Sequence, residues 1–496
     1  MNASSHTDPA GDSSGEEPSS LRGKLVRLTR FGEGGAGRQV AQLGGGTAVV
    51  MVLQFVTQWI CGSLYTPGDW GRFGEVVSCA TIIAMAATLR LEMAIPLAGE
   101  QSEADDLGRL TLGIATLVSA ALIPLCLLVV VTGWAPPEYR LSLVAVPFVV
   151  WSIAAFQTLR SYQSRRQQFR AMSDANVSGT ALTSAAQVGL AWPGLAGAGL
   201  GVGYGAGRLL SAGMMLRRSG LPLRGRMQWG LVSAWRQFPV WILLPALANA
   251  VTVGAVSPLI SAFYGVDFAG QFNFSQRLLS APVALLGQAV ASVFYVRFAA
   301  MERTAQDTSG QMVRLATALL GIAAVIFVPV ALLSREAFLI VPSWGTQWET
   351  AGYISACLAP WLMFSFVSMP LSGYATVKNR VRRLFVISCL EAGVRIPALG
   401  AGLLFGDAML GVQLYSVAGL VICLYWTLWV MRLAGASRWT SWRVVAFPLM
   451  VIILAWVFAM SGWEHLGQDT YVLGSILFSV VAAVLGGVGV MRALRG

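Results

Sequence analysis

The chain has 496 residues, of which 56% are hydrophobic and only 11% are charged. Soluble globular proteins carry about 25% charged residues, so this composition excludes a soluble enzyme and a nucleic-acid-binding domain. The net charge of +11 arises from basic residues that cluster between apolar runs, as in the cytoplasmic loops of membrane proteins. The sequence therefore predicts an all-α polytopic membrane protein without a nucleic-acid partner.

The first 38 residues are polar and end in a basic stretch that begins at Arg22. No apolar core precedes a cleavage site, so the segment lacks the pattern of a signal peptide. Residues 1–38 are therefore predicted to form a disordered, basic cytoplasmic tail.

About fourteen apolar runs of spanning length follow the tail. They cover residues 40–63, 73–97, 110–132, 141–161, 176–193, 196–216, 237–262, 271–297, 312–333, 351–374, 384–405, 408–431, 444–462 and 471–491. The fifth run is partly polar and the sixth is rich in glycine. A re-entrant hairpin there would reduce the number of spans to twelve, whereas the glycines favour a face for close helix packing.

The distribution of basic residues predicts the orientation in the membrane. With the N-terminus inside, 27 basic residues fall on the cytoplasmic side and three, Arg72, Arg140 and Arg335, fall outside. Since cytoplasmic loops are the ones enriched in lysine and arginine, both termini are predicted to be cytoplasmic.

A short motif occurs twice, 199 residues apart. The turn after the first predicted span and the turn after the seventh both fit Tyr-x5-Gly-x-Phe, beginning at Tyr65 and at Tyr264. Equivalent turns with the same orientation indicate a duplicated six-helix unit, and such parallel repeats form two lobes with a substrate cavity between them. The predicted divisions are an N-terminal lobe at 39–218, a cytoplasmic linker at 219–236, a C-terminal lobe at 237–432 and two additional helices at 433–496.

Three stretches carry a family resemblance: Leu-Tyr-Thr-Pro-Gly-Asp-Trp-Gly at 64–71, Leu-Arg-Leu-Glu-Met-Ala-Ile-Pro at 89–96 and Arg-Leu-Leu-Ser-Ala-Pro at 277–282. With them the chain resembles the Wzx-type oligosaccharide flippases of the multidrug/oligosaccharidyl-lipid/polysaccharide exporter superfamily. The resemblance implies a bacterial inner-membrane flippase that works by alternating access in exopolysaccharide, capsule or lipopolysaccharide O-antigen synthesis. Its substrate would be an undecaprenyl-pyrophosphate-linked oligosaccharide. Membrane lipids, a polysaccharide polymerase and a chain-length regulator would be further partners.

Four arginines inside predicted spans are candidates for substrate binding: Arg90, Arg208, Arg277 and Arg395. Charges within a bilayer are costly, and they commonly mark substrate pathways. Arginine binds phosphate with two parallel hydrogen bonds and stays charged when partly dehydrated. A cationic, wet cavity between the lobes would therefore suit a diphosphate.

Structural roles compete with this interpretation. Glu391 and Arg395 lie four residues apart and can neutralise each other on one helix face. Arg90 fits an interfacial anchor, and within a continuous helix it points away from Glu92. Glu391 and Glu92 are also the acids best placed inside predicted spans to couple transport to a cation.

Tryptophans near the predicted span ends fit either of two roles. They could stack on sugars at the outer mouth, but an interfacial aromatic belt explains them more simply. The residues are Trp59, Trp70, Trp134, Trp344, Trp348 and Trp463.

The sequence lacks the motifs of several enzyme and metal-binding classes. No Walker A motif is present, the only histidines are His6 and His465, and the six cysteines lack the spacing of a zinc site or a disulfide framework. The sequence therefore predicts a transporter without cofactor or metal rather than an enzyme. A cation-coupled antiporter, which would need an acid in the first span, a lipid II-type flippase and a membrane scaffold remain alternatives.

Overall fold

The computed structural model describes residues 35–191, 195–303, 306–341, 344, 346–378, 380–465 and 468–495. Residues 1–34, which hold most of the predicted tail, lie outside the described residues. Within the described ranges every regular secondary-structure element is a helix, and the expectation of an all-α fold is confirmed.

Six helices form the first half of the molecule. They are α1 (Gly35–Leu64), α2 (Pro67–Ala87), α3 (Gln101–Val131), α4 (Arg140–Arg165), α5 (Phe169–Gly189) and α6 (Ala196–Ser219). The start of α2 is set by a capping box, in which the side chains of Thr66 and Asp69 each accept a hydrogen bond from the other's backbone N–H. Pro67 occupies the first turn, where its missing N–H is not needed.

The second passage is bent, whereas the sequence predicts one continuous span over 73–97. Helix α2 ends at Ala87, Leu89 and Arg90 take left-handed conformations, and two 3₁₀ turns follow at an angle of 64° to α2. Pro96 cannot continue an α-helix. The side chain of Arg165 donates to the carbonyl oxygen of Ala98 at 2.6 Å, which satisfies part of the broken backbone.

The seventh passage is also interrupted. A short helix at Gly230–Ala234 and a π-helical turn at Phe238–Ile242 lead into α7 (Leu243–Gly254) and α8 (Val256–Tyr264). Five long helices complete the second half: α9 (Val266–Arg303), α10 (Ser309–Ile340), α11 (Glu349–Val377), α12 (Val381–Leu404) and α13 (Ala408–Leu433). Two further helices follow, α14 (Arg438–His465) and α15 (Gln468–Arg495).

Each of the fourteen predicted spans corresponds to one helical passage, with α7 and α8 together forming the seventh. Within the described ranges eight helices are long and apolar enough to cross a membrane, and α2 with its bent continuation makes a possible ninth. The other passages are α1, α5, α6, α7 with α8, and α9. In the case of α9, Asn273, Gln276 and Arg277 interrupt the apolar run.

Helices α5 and α6 have 21 and 24 residues, long enough at 1.5 Å per residue to cross the hydrocarbon layer. A β carbon added to Gly207 would overlap the carbonyl oxygen of Gly179 on α5. The expected glycine packing face is therefore confirmed, and the choice between two full spans and a re-entrant hairpin stays a prediction.

The predicted linker is tied to the first half of the molecule. The indole N–H of Trp235 donates to the carboxylate of Glu103 at 3.0 Å, and Gln228 donates to Asp106 at 2.6 Å. Phe238 is buried in the apolar core of the first half. The segment that joins the two halves is therefore anchored to the first half near the segment's C-terminal end.

The two copies of the sequence motif meet in space at reciprocal positions. A β carbon on Gly71 would overlap the carbonyl oxygen of Val266, and a β carbon on Gly270 would overlap that of Pro67. The two glycines are 199 residues apart, and so are the two residues whose carbonyl oxygens they meet. The second contact is therefore the counterpart of the first in the repeat. A duplicated unit with a two-fold relation between its copies produces such a pattern, and the lobe boundaries themselves stay a prediction.

Candidate functional site

A cavity of about 390 Å³ lies between the two halves, bounded by α2 on one side and by α7, α8 and α9 on the other. Its lining combines apolar groups with hydroxyl and amide side chains and one cation. The polar lining residues are Ser78, Thr81, Ser257, Asn273, Gln276 and Arg277. No carboxylate is among its described lining residues, so the cavity carries positive charge and suits an anionic ligand.

Arg277 is the predicted site residue that lines this cavity. Its guanidinium carbon lies 4.5 Å from the centre of the Phe73 ring on α2, an attractive arrangement of a cation over an aromatic face. One turn before it, Asn273 donates to Ser257 at 2.7 Å. Within the described ranges Arg277 has no acidic group at ion-pair distance, so its charge remains available to a ligand.

Arg208 lies in the first half, between two aromatic rings. Its guanidinium carbon is 4.5 Å from the centre of the Phe156 ring and 5.1 Å from that of Tyr204. The Tyr204 ring in turn meets Phe73 edge-on at 6.3 Å. Arg208 is absent from the described cavity lining. A continuous series, Phe156–Arg208–Tyr204–Phe73–Arg277, which we call the aromatic stack, therefore joins the two predicted arginines.

Arg395 lies inside the second half. Its side chain donates to Glu391 at 2.7 Å, and its guanidinium carbon is 3.7 Å from the Trp361 ring centre and 3.9 Å from that of Tyr415. Arg395 is only 7% exposed. The structure thus brings both predicted residues together as a neutral pair, the arrangement that the helical spacing allows.

Both halves place an arginine beside a tyrosine that contacts the last phenylalanine of the repeated motif, although Arg208 lies on α6 and Arg395 on α12, which do not correspond. Tyr415 contacts Phe272 at 5.9 Å, and Phe272 is the counterpart of Phe73 at 199 residues. In each half an arginine therefore lies between a tyrosine and another ring, but the tyrosine is on the arginine's own helix in the first half and on the neighbouring α13 in the second. Glu391 neutralises the arginine in the second half, whereas Arg208 has no carboxylate partner among the residues described.

Arg90 and Glu92 form an ion pair of 3.3 Å. The expectation that they point apart is wrong, because it assumes a continuous helix, whereas the chain turns at the left-handed Leu89 and Arg90. Glu92 is 3% exposed. Neither residue is among the described cavity-lining residues, and their pair lies at the end of the molecule opposite the repeated turns.

The end that holds the repeated turns, called the outer end after its predicted orientation, is closed. Trp344 donates from its indole nitrogen to the carbonyl oxygen of Trp59 at 3.0 Å, and Trp348 donates to that of Gly62 at 2.8 Å. Both tryptophans precede α11 in the second half, and both acceptors lie on α1. These contacts join the two halves across the outer end.

Burial separates the tryptophans into two groups. Trp70, Trp344 and Trp348 are at most 2% exposed, so a membrane-surface belt is the wrong interpretation for these three. They pack with Phe274 in the interface between the halves. Trp134 is 85% exposed, as the belt predicts, and the side chain of Trp463 lies outside the described residues.

Three residues of the aromatic stack, Phe156, Phe73 and Tyr204, were not expected from the sequence. Phe73 is the last residue of the repeated motif, and the motif alone assigns it no contact with an arginine. Tyr204 lies among the glycines of α6. The spacing of Tyr204 four residues before Arg208 places both on one helix face. The spacing could therefore have indicated that Tyr204 contacts Arg208. It could not have indicated that Tyr204 also contacts Phe73 on α2.

Comparison with known proteins supports the resemblance. A family model described as polysaccharide biosynthesis protein matches residues 97–352, just over half of the chain. No curated protein matches the chain significantly.

Solved structures share the fold at low sequence identity. Lipid II flippase MurJ in an inward closed conformation is similar with a TM-score of 0.71 at 12% identity, over 92% of this chain and 99% of that one. An inward-facing multidrug resistance MATE transporter of the MOP superfamily gives 0.52 at 12% identity, over 83% and 98%. A MOP superfamily transporter from Pyrococcus furiosus gives 0.53 at 11% identity, over 80% and 95%.

These structures are of a flippase and of transporters, and at such identities they establish the fold. The family match begins at Leu97, the last residue of the bent second passage, and includes the second copy of the repeated turn together with Trp344 and Trp348. The protein therefore shares the fold of these flippase and transporter structures, and the chain belongs to the polysaccharide biosynthesis protein family.

Proposed function

We propose that the protein is a flippase that moves a polyprenyl-pyrophosphate-linked oligosaccharide across the bacterial inner membrane, for the synthesis of exopolysaccharide, capsule or O-antigen. The observation that carries this proposal is the cavity between the halves, where Arg277 projects among hydroxyl and amide groups without a described carboxylate. A diphosphate needs the cation, and sugar hydroxyls need the neutral hydrogen-bonding groups.

Access to the cavity fits a substrate assembled on the cytoplasmic side. Trp344 and Trp348 close the outer end onto α1, so a ligand would enter from the opposite end or laterally from the bilayer. The lipid tail can stay in the bilayer while the charged head enters the cavity. Rocking of the halves would then open the outer end and release the glycan there.

The predicted site residues take different roles in this proposal. Arg277 binds the diphosphate, and Arg208 lies behind it in the aromatic stack. Arg395 with Glu391, and Arg90 with Glu92, form ion pairs whose acids are the candidates for coupling to a cation. A role for a polymerase or a chain-length regulator, and the cytoplasmic placement of both termini, remain predictions.

The proposal is tested by deleting the gene and measuring lipid-linked oligosaccharide on each face of the membrane. We expect the oligosaccharide to accumulate on the cytoplasmic face. Wild-type protein should restore export and Arg277→Ala, at equal protein level, should fail. The matched control is Arg218→Ala, which removes an exposed arginine paired with Asp174 and should restore export fully. Accumulation that Arg277→Ala corrects would contradict the assigned binding site.

A lipid II-type flippase is the second candidate. The observation that favours it is the fold, since the similarity to MurJ exceeds the similarity to the MATE transporter, with TM-scores of 0.71 and 0.52. Rescue of a strain depleted of its lipid II flippase would support this candidate. A cation-coupled drug antiporter would instead change sensitivity to cationic drugs, and α1 contains no acid that could bind the coupling ion.

A further inference from the structure

We propose that Tyr204 is a positioning residue through which Arg208 holds Arg277 in the cavity, and that Arg208 does not itself touch the substrate. This inference rests on the proposed function, because it concerns how the diphosphate-binding cation is held. It differs from a cavity lined by several equivalent arginines, since it assigns ligand contact to Arg277 and support to the other members of the aromatic stack.

Arg208 lies between two aromatic rings and outside the described lining of the cavity. Rings from two different helices, Phe156 on α4 and Tyr204 on α6, face its guanidinium at 4.5 and 5.1 Å. A planar guanidinium between two rings has its faces occupied and its orientation restricted. Arg208 is not one of the described groups that line the cavity, so its contacts are with the protein.

Two aromatic rings, Tyr204 and Phe73, connect Arg208 to Arg277. Tyr204 meets Phe73 edge-on, with an angle of 71° between the ring planes, a favourable aromatic arrangement. Phe73 is 1% exposed, and it carries the guanidinium of Arg277 at 4.5 Å. Loss of the Tyr204 ring would therefore free both the Phe73 ring and the side chain of Arg277 to take other orientations.

The second half contains an arginine between two rings whose charge is neutralised. The residue four positions before Arg395 is Glu391, which pairs with it, whereas the residue four positions before Arg208 is Tyr204. Arg395 is thus neutralised by the carboxylate one turn before it on α12, whereas the side chain one turn before Arg208 on α6 is a ring, which leaves the charge of Arg208 uncompensated.

The experiment uses the full-length protein in lipid nanodiscs and farnesyl diphosphate as the probe, with farnesol as the uncharged comparison. We expect Arg277→Ala to weaken diphosphate binding at least 100-fold. Tyr204→Leu, Arg208→Ala and Tyr204→Glu should weaken it about 10-fold each, the last by creating a pair like Glu391 and Arg395. Tyr204→Phe should retain most of the affinity, because it keeps the ring.

A double-mutant cycle separates positioning from direct contact. If Arg208 acts through Arg277, adding Arg208→Ala to Arg277→Ala should change the remaining affinity by less than twofold. Additive losses would overturn the inference, because they would mean that Arg208 contacts the diphosphate independently. Equal losses for Tyr204→Leu and Tyr204→Phe would also overturn it, since the ring would then not be the relevant group.

Controls keep the outcomes distinct. Trp134→Leu, at a side chain 85% exposed, should leave binding unchanged, and thermal unfolding of every variant identifies those that lose the fold. Unchanged binding in Arg277→Ala would contradict the proposed diphosphate site itself. A large loss in Arg277→Ala with none in Tyr204→Leu or Arg208→Ala would contradict only the positioning role.

Discussion

Gly270 packs directly against the carbonyl oxygen of Pro67, so closely that a β carbon could not be accommodated. The reciprocal contact of Gly71 with the carbonyl oxygen of Val266 lies beside it. The two halves therefore approach each other through backbone atoms at the outer end. Only glycine permits this approach, which explains why the repeated motif retains a glycine at that position in both copies.

Replacing Gly270 with alanine should separate the halves at the outer end. Overpacking of a tight contact typically costs about 1–3 kcal/mol, and the partner here is backbone, which yields less than a side chain. We expect a lower melting temperature for the purified protein. Gly213→Ala on α6 is the matched control, because nothing lies within 4 Å of the added carbon and alanine favours helix. A melting temperature unchanged in Gly270→Ala would contradict the described contact.

The outer tryptophans should control how often the outer end opens. Trp344→Phe and Trp348→Phe each remove a hydrogen bond to α1, worth about 1 kcal/mol net, or about fivefold in the open population. Cys61 is 0% exposed within this contact. In a protein whose other cysteines are replaced by serine, a membrane-impermeant maleimide should label Cys61 faster in both variants. Trp134→Phe should label at the wild-type rate, and equal rates in all proteins would refute a closing role.

Glu391→Gln should destabilise the second half, because Arg395 would keep its charge in a buried site without a carboxylate. Glu391 is 26% exposed, so a penalty of about 1–3 kcal/mol is expected. The double variant Glu391→Gln/Arg395→Gln should recover part of this stability in thermal unfolding. If Glu391 also couples transport to protons, the single variant should lose the pH dependence of transport. Unchanged transport with unchanged pH dependence would remove Glu391 from the coupling mechanism.

Lys378 supplies a test with alkaline pH. Its hydrogen bond to Glu302, 2.7 Å long, raises the pKa of Lys378 above its usual value. Stability from this pair is therefore complete below the usual lysine pKa of about 10.4 and is lost as the pH rises through the raised value. Lys378 is 35% exposed, so the contribution is at most about 1 kcal/mol. Lys378→Met should melt slightly below the wild type at neutral pH, and the difference should vanish in strong alkali.

The sequence predicted the helices well because apolar length determines them locally. It also located Arg277 as a charge without a partner, and it placed Glu391 and Arg395 on one face. It failed at the second passage, where Leu89 and Arg90 take left-handed conformations. Nothing in the local pattern marks these two residues, and the contact of Arg165 with Ala98 beyond the bend joins segments that are distant in sequence.

The burial of tryptophan was the other failure. Trp344 and Trp134 both lie near predicted span ends, yet one is 2% exposed and the other 85%. The difference arises because residues far apart in sequence, such as Trp344 and Trp59, meet only when the two halves assemble. Distance along the chain likewise concealed the aromatic stack, whose members belong to four helices.

The closed outer end has a consequence for the energetics of the cell. A polar cavity inside a bilayer lowers the barrier for water and small ions, so a transporter open at both ends would short-circuit the membrane potential. Trp344 and Trp348 are apolar over most of their surface and completely buried at this seam. In the proposed transport function they are an electrical insulator at the predicted outer end, which lets the cell retain its ion gradients while the cavity holds no substrate.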